Sequence, residues 1–438
     1  MSLPDIIKAN QNELTSLIQI SDKLKELQGH SFGSIQRMLR GSKFYENKDL
    51  LFQFLCCLNS IANSRPIQLP LYCKFLKSII PNIKDKFTSD ELVIIFTNKR
   101  MLLLLLKEKL VNIQTIINFF VDSADILQYF CEELQSADKN WFETQKGFYP
   151  ILDKFLKKFK KEEHRENRNI CQNEDLFART IRKDDAEKLQ ELIAFTNRSF
   201  SLPIGSSPYE MCDEYVKNSK MIEYAAYFGS VKSFKYLWMN GAAGFSVNLP
   251  RYAISGGNYD IIHITEQLHT QYDEDCLNEA IRFHRNDIVH YLIDSIGLKF
   301  TLEALLESIK SFNFEIFNEF AADVLKDVNQ QLNSGVSALH IAAQYGNLQV
   351  VKLLVQIPEL KPNIRDQNGR TPLHLASRAG YMSIVKCLVK YTKVNIESKD
   401  KLSNVPLHLA SLFCRLEVVK FLSTLQRINP NVADRIQN

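Results

Sequence analysis

Three histidines, His340, His374 and His408, recur 34 residues apart, and a row of imidazoles could hold a metal ion. If each belongs to one module of a stack, neighbours stand a packed-helix distance apart, roughly 10 Å, whereas a zinc–nitrogen bond is about 2 Å. One ion cannot serve them. Each is instead expected to be buried, using its donor and acceptor nitrogens on turn and backbone groups. The vicinal pair Cys56-Cys57 could cycle between dithiol and disulfide, yet Leu51, Phe52, Phe54, Leu55 and Leu58 surround it. In that setting the thiols read as small buried hydrophobes. His263 with His269, and His284 with His290, are six apart and fall on different helix faces. The run Lys154–Lys161 could touch acidic lipid or serve as a nuclear address. Glu162, Glu163 and Glu166 dilute its charge at once, so a linker helix with a solvated lysine face is expected. No phosphate-binding glycine loop, kinase catalytic loop, nucleophile elbow or paired zinc-ligand motif is visible. No catalytic, cofactor-binding or metal-binding residues are therefore expected, and the chain does not read as an enzyme.

The histidines are positioned by a repeated unit. Ser337-Ala338-Leu339-His340, Thr371-Pro372-Leu373-His374 and Val405-Pro406-Leu407-His408 share one register, and a fixed period of this length marks stacked modules with a continuous core. In the central copy, Asp366-Gln367-Asn368-Gly369-Arg370 predicts a projecting turn. Thr371 then offers an N-cap hydroxyl, and Pro372 occupies a first helical position where its missing N–H is harmless. Leu373, Leu375 and Ala376 form a narrow inward face, and Gly380 ends the helix. A second helix is expected from Ile384 to Lys390, with Ile384, Val385, Leu388 and Val389 facing the core. The flanking copies repeat the pattern with Ala342, Ala343, Val350, Val351, Leu353 and Leu354, and with Leu409, Ala410, Val418, Val419, Phe421 and Leu422. Ser403 and Cys414 replace both glycines in the last copy, so its turns are expected to be less regular.

These residues resemble the ankyrin-repeat family, whose unit is a β-turn finger followed by two antiparallel helices. The match is specific over about residues 329–438. A weaker form runs upstream. Glu223, Arg251, Asn278 and Leu306 stand at the histidine position at intervals of 28, 27 and 28 residues, then 34 to His340. Each leads into a core pair at one offset: Ser233/Phe234, Ile261/Ile262, Ile288/Val289 and Ile316/Phe317. Six or seven missing residues are about what a finger occupies, so residues 218–325 are expected to be helix pairs joined by short loops. Leu176–Ile193 is an earlier candidate pair, separated by a loop-rich stretch holding Pro203, Gly205 and Pro208. The arrangement is similar to ankyrin proteins of parasitic protists, in which a degenerate helical segment precedes regular repeats.

Composition agrees with an all-α chain. Its 438 residues include only 15 glycines and 13 prolines, too few for a loop-rich β protein. A net charge of +4 among 104 charged residues points to no polyanionic partner, so no nucleic-acid binding is expected. Nine cysteines without a paired framework, and no secretory signal, suggest reduced thiols in cytosol or nucleus. The strongest apolar run, Met101–Leu106, is far short of the roughly 20 residues that span a bilayer. Residues 1–168 read as an N-terminal helical region of six to eight helices. Ser2 and Asp5 form a candidate capping pair, Thr88 and Glu91 a capping box, and Arg65-Pro66 with Pro70 a break. Helices are also expected over Asn112–Phe120 and Ala124–Leu134. Degenerate pairs then fill 172–325, and three full repeats with one truncated repeat fill 326–438.

The expected fold is thus an α-solenoid, and the resemblance implies a scaffold or adaptor that binds protein through finger tips and first helices on the concave face. Matching positions are Asn333, Ser334, Val336, Gln344 and Tyr345, then Gln367, Asn368, Arg370 and Arg378, then Lys401, Leu402, Asn404, Leu412 and Phe413. Tyr345, Arg370 and Arg378 are the expected anchors, since aromatic and arginine side chains dominate binding hot spots. Asn431–Asp434 repeats Asn363–Asp366, so the sequence stops inside a further finger. The last helix then lacks a cover, and fraying or a contact with another chain is expected there. The competing readings are an unrecognised enzyme in residues 1–168, marked by a deep polar pocket, and a membrane or nuclear tether through Lys154–Lys161.

Overall fold

A computed structural model describes the chain except residues 1–2, 121–122, 213–215, 243–247, 268–271, 392 and 426–438. Its described residues form helices and turns, with two isolated β-bridges, Pro203 to Lys220 and Gln331 to Ser337. The fold class is all-α.

The chain opens with α1 (Leu3–Ala9), α2 (Gln11–Lys25), α3 (Phe32–Gly41) and α4 (Lys48–Ser64). There follow α5 (Leu69–Ile83), α6 (Ser89–Ile95), α7 (Lys99–Lys107) and α8 (Ile113–Phe120). Next come α9 (Ala124–Tyr129), α10 (Cys131–Ala137), α11 (Lys139–Phe148), α12 (Pro150–Lys157) and α13 (Lys161–Ile170). Among the described residues thirteen α-helices thus stand where six to eight helices were expected. The excess comes from breaks inside amphipathic stretches: Ala124–Leu134 divides at Phe130, whose ψ of 17° leaves the helical range. The lysine run also divides, with α12 ending at Lys157 and α13 starting at Lys161. The capping box at Thr88 is present, with Glu91 N–H donating to Thr88 Oγ1 at 3.2 Å and Thr88 N–H to Glu91 Oε2 at 2.8 Å. The chain breaks after Ser64, as Arg65-Pro66 predicts, and Pro70 falls in the first turn of α5. The Ser2–Asp5 pair lies outside the described residues.

Sixteen further α-helices among the described residues form eight pairs. The first four are α14 (Leu176–Arg182) with α15 (Ala186–Thr196), α16 (Met221–Tyr227) with α17 (Val231–Met239), α18 (Leu249–Gly256) with α19 (Tyr259–Gln267), and α20 (Glu274–Arg282) with α21 (Asn286–Asp294). The last four are α22 (Leu302–Lys310) with α23 (Phe314–Val324), α24 (Ala338–Tyr345) with α25 (Leu348–Leu354), α26 (Pro372–Ala379) with α27 (Met382–Lys390), and α28 (Pro406–Leu412) with α29 (Leu416–Ser423). Every upstream pair expected from the 27- and 28-residue spacing is present, and its core residues, from Ser233/Phe234 to Ile316/Phe317, are buried.

The helices divide into two compact units. One comprises residues 1–61, 82–87 and 299–438; the other comprises 62–81 and 88–298. The N-terminal helices are thus shared between units, and the degenerate pairs divide after residue 298.

Within the first unit, α22, α24, α26 and α28 stack in series, as do α25, α27 and α29. Helices α1 and α2 pack against α23, and α1 also packs against α25. Gln53 of α4, buried in an apolar helix, donates to Gly346 O at 2.9 Å and accepts from Gln349 N–H at 3.3 Å. Phe52 meets Tyr381 edge to face at 6.1 Å, and Lys25 pairs with Glu315 at 2.9 Å. Residues 1–61 therefore line the second-helix side at α23, α25 and the start of α27. Cys56 and Cys57 are buried there, and burial raises both thiols, Cys57 to about 11. Such thiols stay protonated and unreactive.

Within the second unit, α14, α16, α18 and α20 stack in series, as do α15, α17 and α19. His164 of α13 is buried between Cys131 Sγ at 3.7 Å and Tyr209 Oη at 3.0 Å. Burial lowers its pKa to about 4. Phe155 and Phe159 turn inward against its ring at 6.1 and 5.0 Å. Lys157 pairs with Asp153 and Lys161 with Glu132, at 2.7 and 3.7 Å.

Candidate protein-docking surface

The surface begins with the turn Asp366–Arg370. Asp366 Oδ1 accepts from Asn368 N–H and Arg370 N–H, both at 2.8 Å, and Asp366 N–H donates to Arg370 O at 2.9 Å. This closes a finger that only a residue at positive φ can complete. Gly369 supplies it at φ 73°, and a Cβ there would stand 3.0 Å from Lys401 N. The same bonds recur around Asp400, whose Oδ1 accepts from Leu402 N–H and Asn404 N–H at 2.9 and 2.8 Å. The last copy is therefore as regular as the others, contrary to expectation: Ser403 adopts φ 66° and Cys414 φ 55°. Side-chain and backbone bonds compensate a left-handed residue that costs roughly 1–2 kcal/mol.

Fingers are joined edge to edge. Gln367 N–H donates to Ser334 O at 3.0 Å, and Lys401 N–H to Asn368 O at 2.9 Å. Gln367 Nε2 adds a bond to Asn333 O at 2.7 Å, and Gln331 Nε2 one to Arg365 O at 2.9 Å.

The buried histidines tie finger to helix. Nδ1 of His340 accepts from Ser337 N–H at 3.2 Å, so the ring proton must sit on Nε2, which donates to Arg370 O at 3.1 Å. His374 repeats this with Thr371 N–H at 3.2 Å and Asn404 O at 3.0 Å. Burial holds both imidazoles below their ordinary pKa, with the accepting carbonyls acting in the other direction. The third histidine departs from the row. His408 is half-buried, and its Nδ1 finds no partner among the described residues, Val405 offering no hydroxyl at the N-cap place.

The expected docking residues are partly brought together. Asn333, Ser334, Gln367, Asn368, Lys401 and Leu402 are exposed on the fingers, and Gln344, Arg378 and Leu412 on the first helices. Val336, Tyr345, Arg370 and Phe413 are half-buried. Asn404 is a correction. It is buried, its carbonyl is taken by His374, and its side-chain amide bonds Asp400 Oδ2 at 3.3 Å. Arg370 is similarly committed, since its guanidinium pairs with Asp366 at 2.8 Å. Arg378 and Tyr345 each take part in a cation–π contact. The Arg378 guanidinium lies 4.6 Å from the Phe413 ring centroid, and Lys310 Nζ lies 5.7 Å from that of Tyr345. Lys310 also pairs with Glu307 at 3.0 Å, and its contact with Tyr345 has no signal in the sequence beyond the register of its own degenerate repeat.

Deeper in the second unit, a cavity of about 350 Å³ is bordered by Lys99, Asp125, Glu210, Cys212 and Lys217. Lys99 donates to Pro208 O at 2.6 Å and lies 3.8 Å from Asp125, which also pairs with Lys217. Glu210 accepts from Arg182 at 3.2 Å, from Asn173 at 3.1 Å and from Tyr224 Oη.

Serial helical hairpins carrying joined fingers define a repeat solenoid, a class that presents a surface rather than enclosing a reaction. Residues 305–400 and 339–434 match the family model for ankyrin repeats in 3 copies, and residues 244–321 match a domain of unknown function (DUF3447) commonly associated with ankyrin proteins. Over these C-terminal residues the chain consists of ankyrin repeats, modules that serve protein–protein interaction in general and are typically non-enzymatic. No curated protein matches the chain. No helix among the described residues is long and apolar enough to cross a membrane.

Proposed function

We propose that the chain is a non-catalytic scaffold or adaptor that binds a partner protein through its finger tips and the exposed side of α24, α26 and α28. One observation carries this reading. Residues 1–61 line the second-helix side at α23, α25 and the start of α27, whereas Asn333, Gln367 and Lys401, with Gln344, Arg378 and Leu412, leave an exposed row on the fingers and first helices. Leu402 and Leu412 are 60% and 70% exposed, and apolar side chains set among polar ones suit a partner surface.

Deleting residues 326–438 would be a poor test, because it removes α25 from α1 and Tyr381 from Phe52. The better variant combines Arg378→Glu, Leu402→Asp and Leu412→Asp in the full chain, with an unchanged far-UV spectrum as the folding control. Proteins recovered by wild type should be lost from this variant. An identical partner set in equal yield would overturn the proposal.

The catalytic reading would rest on the cavity beside Lys99. Its lysines pair with Asp125 and its Glu210 with Arg182, and no histidine lines it, which speaks for a structural polar network. The tether reading would rest on Lys154–Lys161, whose phenylalanines face His164 instead of solvent.

A further inference from the structure

A second cavity, of about 180 Å³, opens within the second unit beside the turn that joins α4 to α5. Its walls include Ser64, Arg65, Tyr227, Phe228, Ser255 and Arg285. Arg285 stands immediately before α21. Its Nη2 donates to Gly256 O at 2.7 Å and to Ser255 O at 3.3 Å, at the C-terminal end of α18, where helix carbonyls carry partial negative charge. Its Nε is buried and finds no partner among the described residues. The guanidinium lies on the backbone of Gly257, where a Cβ would stand 2.4 Å from Nε, so glycine makes the space. Arg65 is barer still: its Nε is buried without a partner, and its guanidinium makes no hydrogen bond or ion pair with the described residues.

Two cations therefore border one half-enclosed cavity without a carboxylate of the described residues in contact. Asp287 lies within electrostatic reach of both, but it is held by Tyr259 Oη at 2.7 Å and forms no ion pair with either. Burial, then the charge of Arg65, lowers the Arg285 pKa to about 10, which leaves it cationic at neutral pH. Desolvated like charges repel, and a planar guanidinium with open N–H groups is shaped for an oxyanion. The volume admits one such group and is too small for a nucleotide.

We propose that Arg65 and Arg285 form a binding site for a single oxyanion group, a phosphate or a carboxylate, held by both guanidiniums. The test is calorimetric titration of the full-length chain at low ionic strength with inorganic phosphate, acetate and O-phosphoserine in separate arms. Saturable one-to-one binding of at least one anion is expected, weakened at least tenfold in Arg65→Gln. Because the Arg65 side chain makes no hydrogen bond or ion pair with the described residues, that variant should fold, and an unshifted thermal midpoint without anion checks this. Tighter O-phosphoserine than phosphate assigns the group to a protein-borne source, equal affinity to free phosphate, and acetate alone to a carboxylate. Absence of saturable binding in all arms, or binding unchanged in Arg65→Gln, overturns the proposal, because the helix-end carbonyls would then suffice for the charge. None of these readouts depends on the finger surface.

Discussion

The finger-bearing repeats, α24 to α29, and the finger-less pairs, α16 to α21, bury equivalent cores but are joined layer to layer by different forces. In the former, a neutral histidine donates to the backbone of the next module, and adjacent fingers exchange backbone hydrogen bonds. In the latter, Arg251 takes the histidine place and reaches Glu279 and Asp275 of the next pair at 3.0 and 3.2 Å. Glu279 is also held by Arg282 at 2.6 Å. Backbone links fix spacing and leave side chains free to present, whereas ion pairs use up the side chains that would otherwise face a partner.

The largest expected effect breaks the backbone link. His374→Ala removes the bond to Thr371 N–H, the bond to Asn404 O and a buried ring, and should cost about 3 kcal/mol in denaturant unfolding. His408→Ala should cost under about 1 kcal/mol, since its Nδ1 is unpartnered and its ring half-buried. Equal losses in the two variants would show that the link contributes nothing beyond packing.

Acid should separate the two regions next. The folded pKa values of His340 and His374 lie below the unfolded value, about 6.5, so in acid the unfolded chain binds more protons. Their stabilising contribution is complete above that pH and is lost as pH falls through it toward the folded values. Protection factors in α26, taken relative to the intrinsic exchange rate at each pH, should fall from pH 7 to pH 5, while α18, with Arg251 at the equivalent place, should keep its own over the same range. His164 adds a loss in α13 between about 6.5 and about 4. Equal acid sensitivity in α18 and α26 would remove the histidine link as its cause.

Salt should act in the opposite sense. Arg251→Met should destabilise by about 1 kcal/mol, the scale of a partly exposed ion pair, measured as exchange in α20. Ionic strength high enough to shrink the Debye length well below its physiological 8 Å or so should weaken α20 in wild type and leave α26 unchanged.

How much of this was legible follows from chain distance. Fingers and their loss could be read from 34- against 27- and 28-residue spacing, because a module interacts with its sequence neighbour. The packing of residues 1–61 on α23 and α25 could not, since Gln53 advertises only that a glutamine in an apolar helix must find a partner, not that the partner is Gly346. Arg65 and Arg285 are equally silent, being brought together only by the fold. Asn404 was misjudged because its place in the finger suggests exposure, while the Asp400 turn draws its amide inward.

The smallest effect concerns left-handed residues. Ser403 holds φ 66° where the preceding copies have glycine, and its Cβ is already accommodated. Ser403→Gly removes the steric penalty but loosens the unfolded chain, so a net gain of about 0.5 kcal/mol is expected. At Gly369 the reverse change meets both obstacles, since φ is 73° and the new Cβ would approach Lys401 N to 3.0 Å. Gly369→Ser should therefore cost more than Ser403→Gly gains, and should loosen the bond from Lys401 N–H to Asn368 O. Comparable and opposite shifts in unfolding midpoint would mean that backbone conformation alone sets both effects and that finger contact adds nothing.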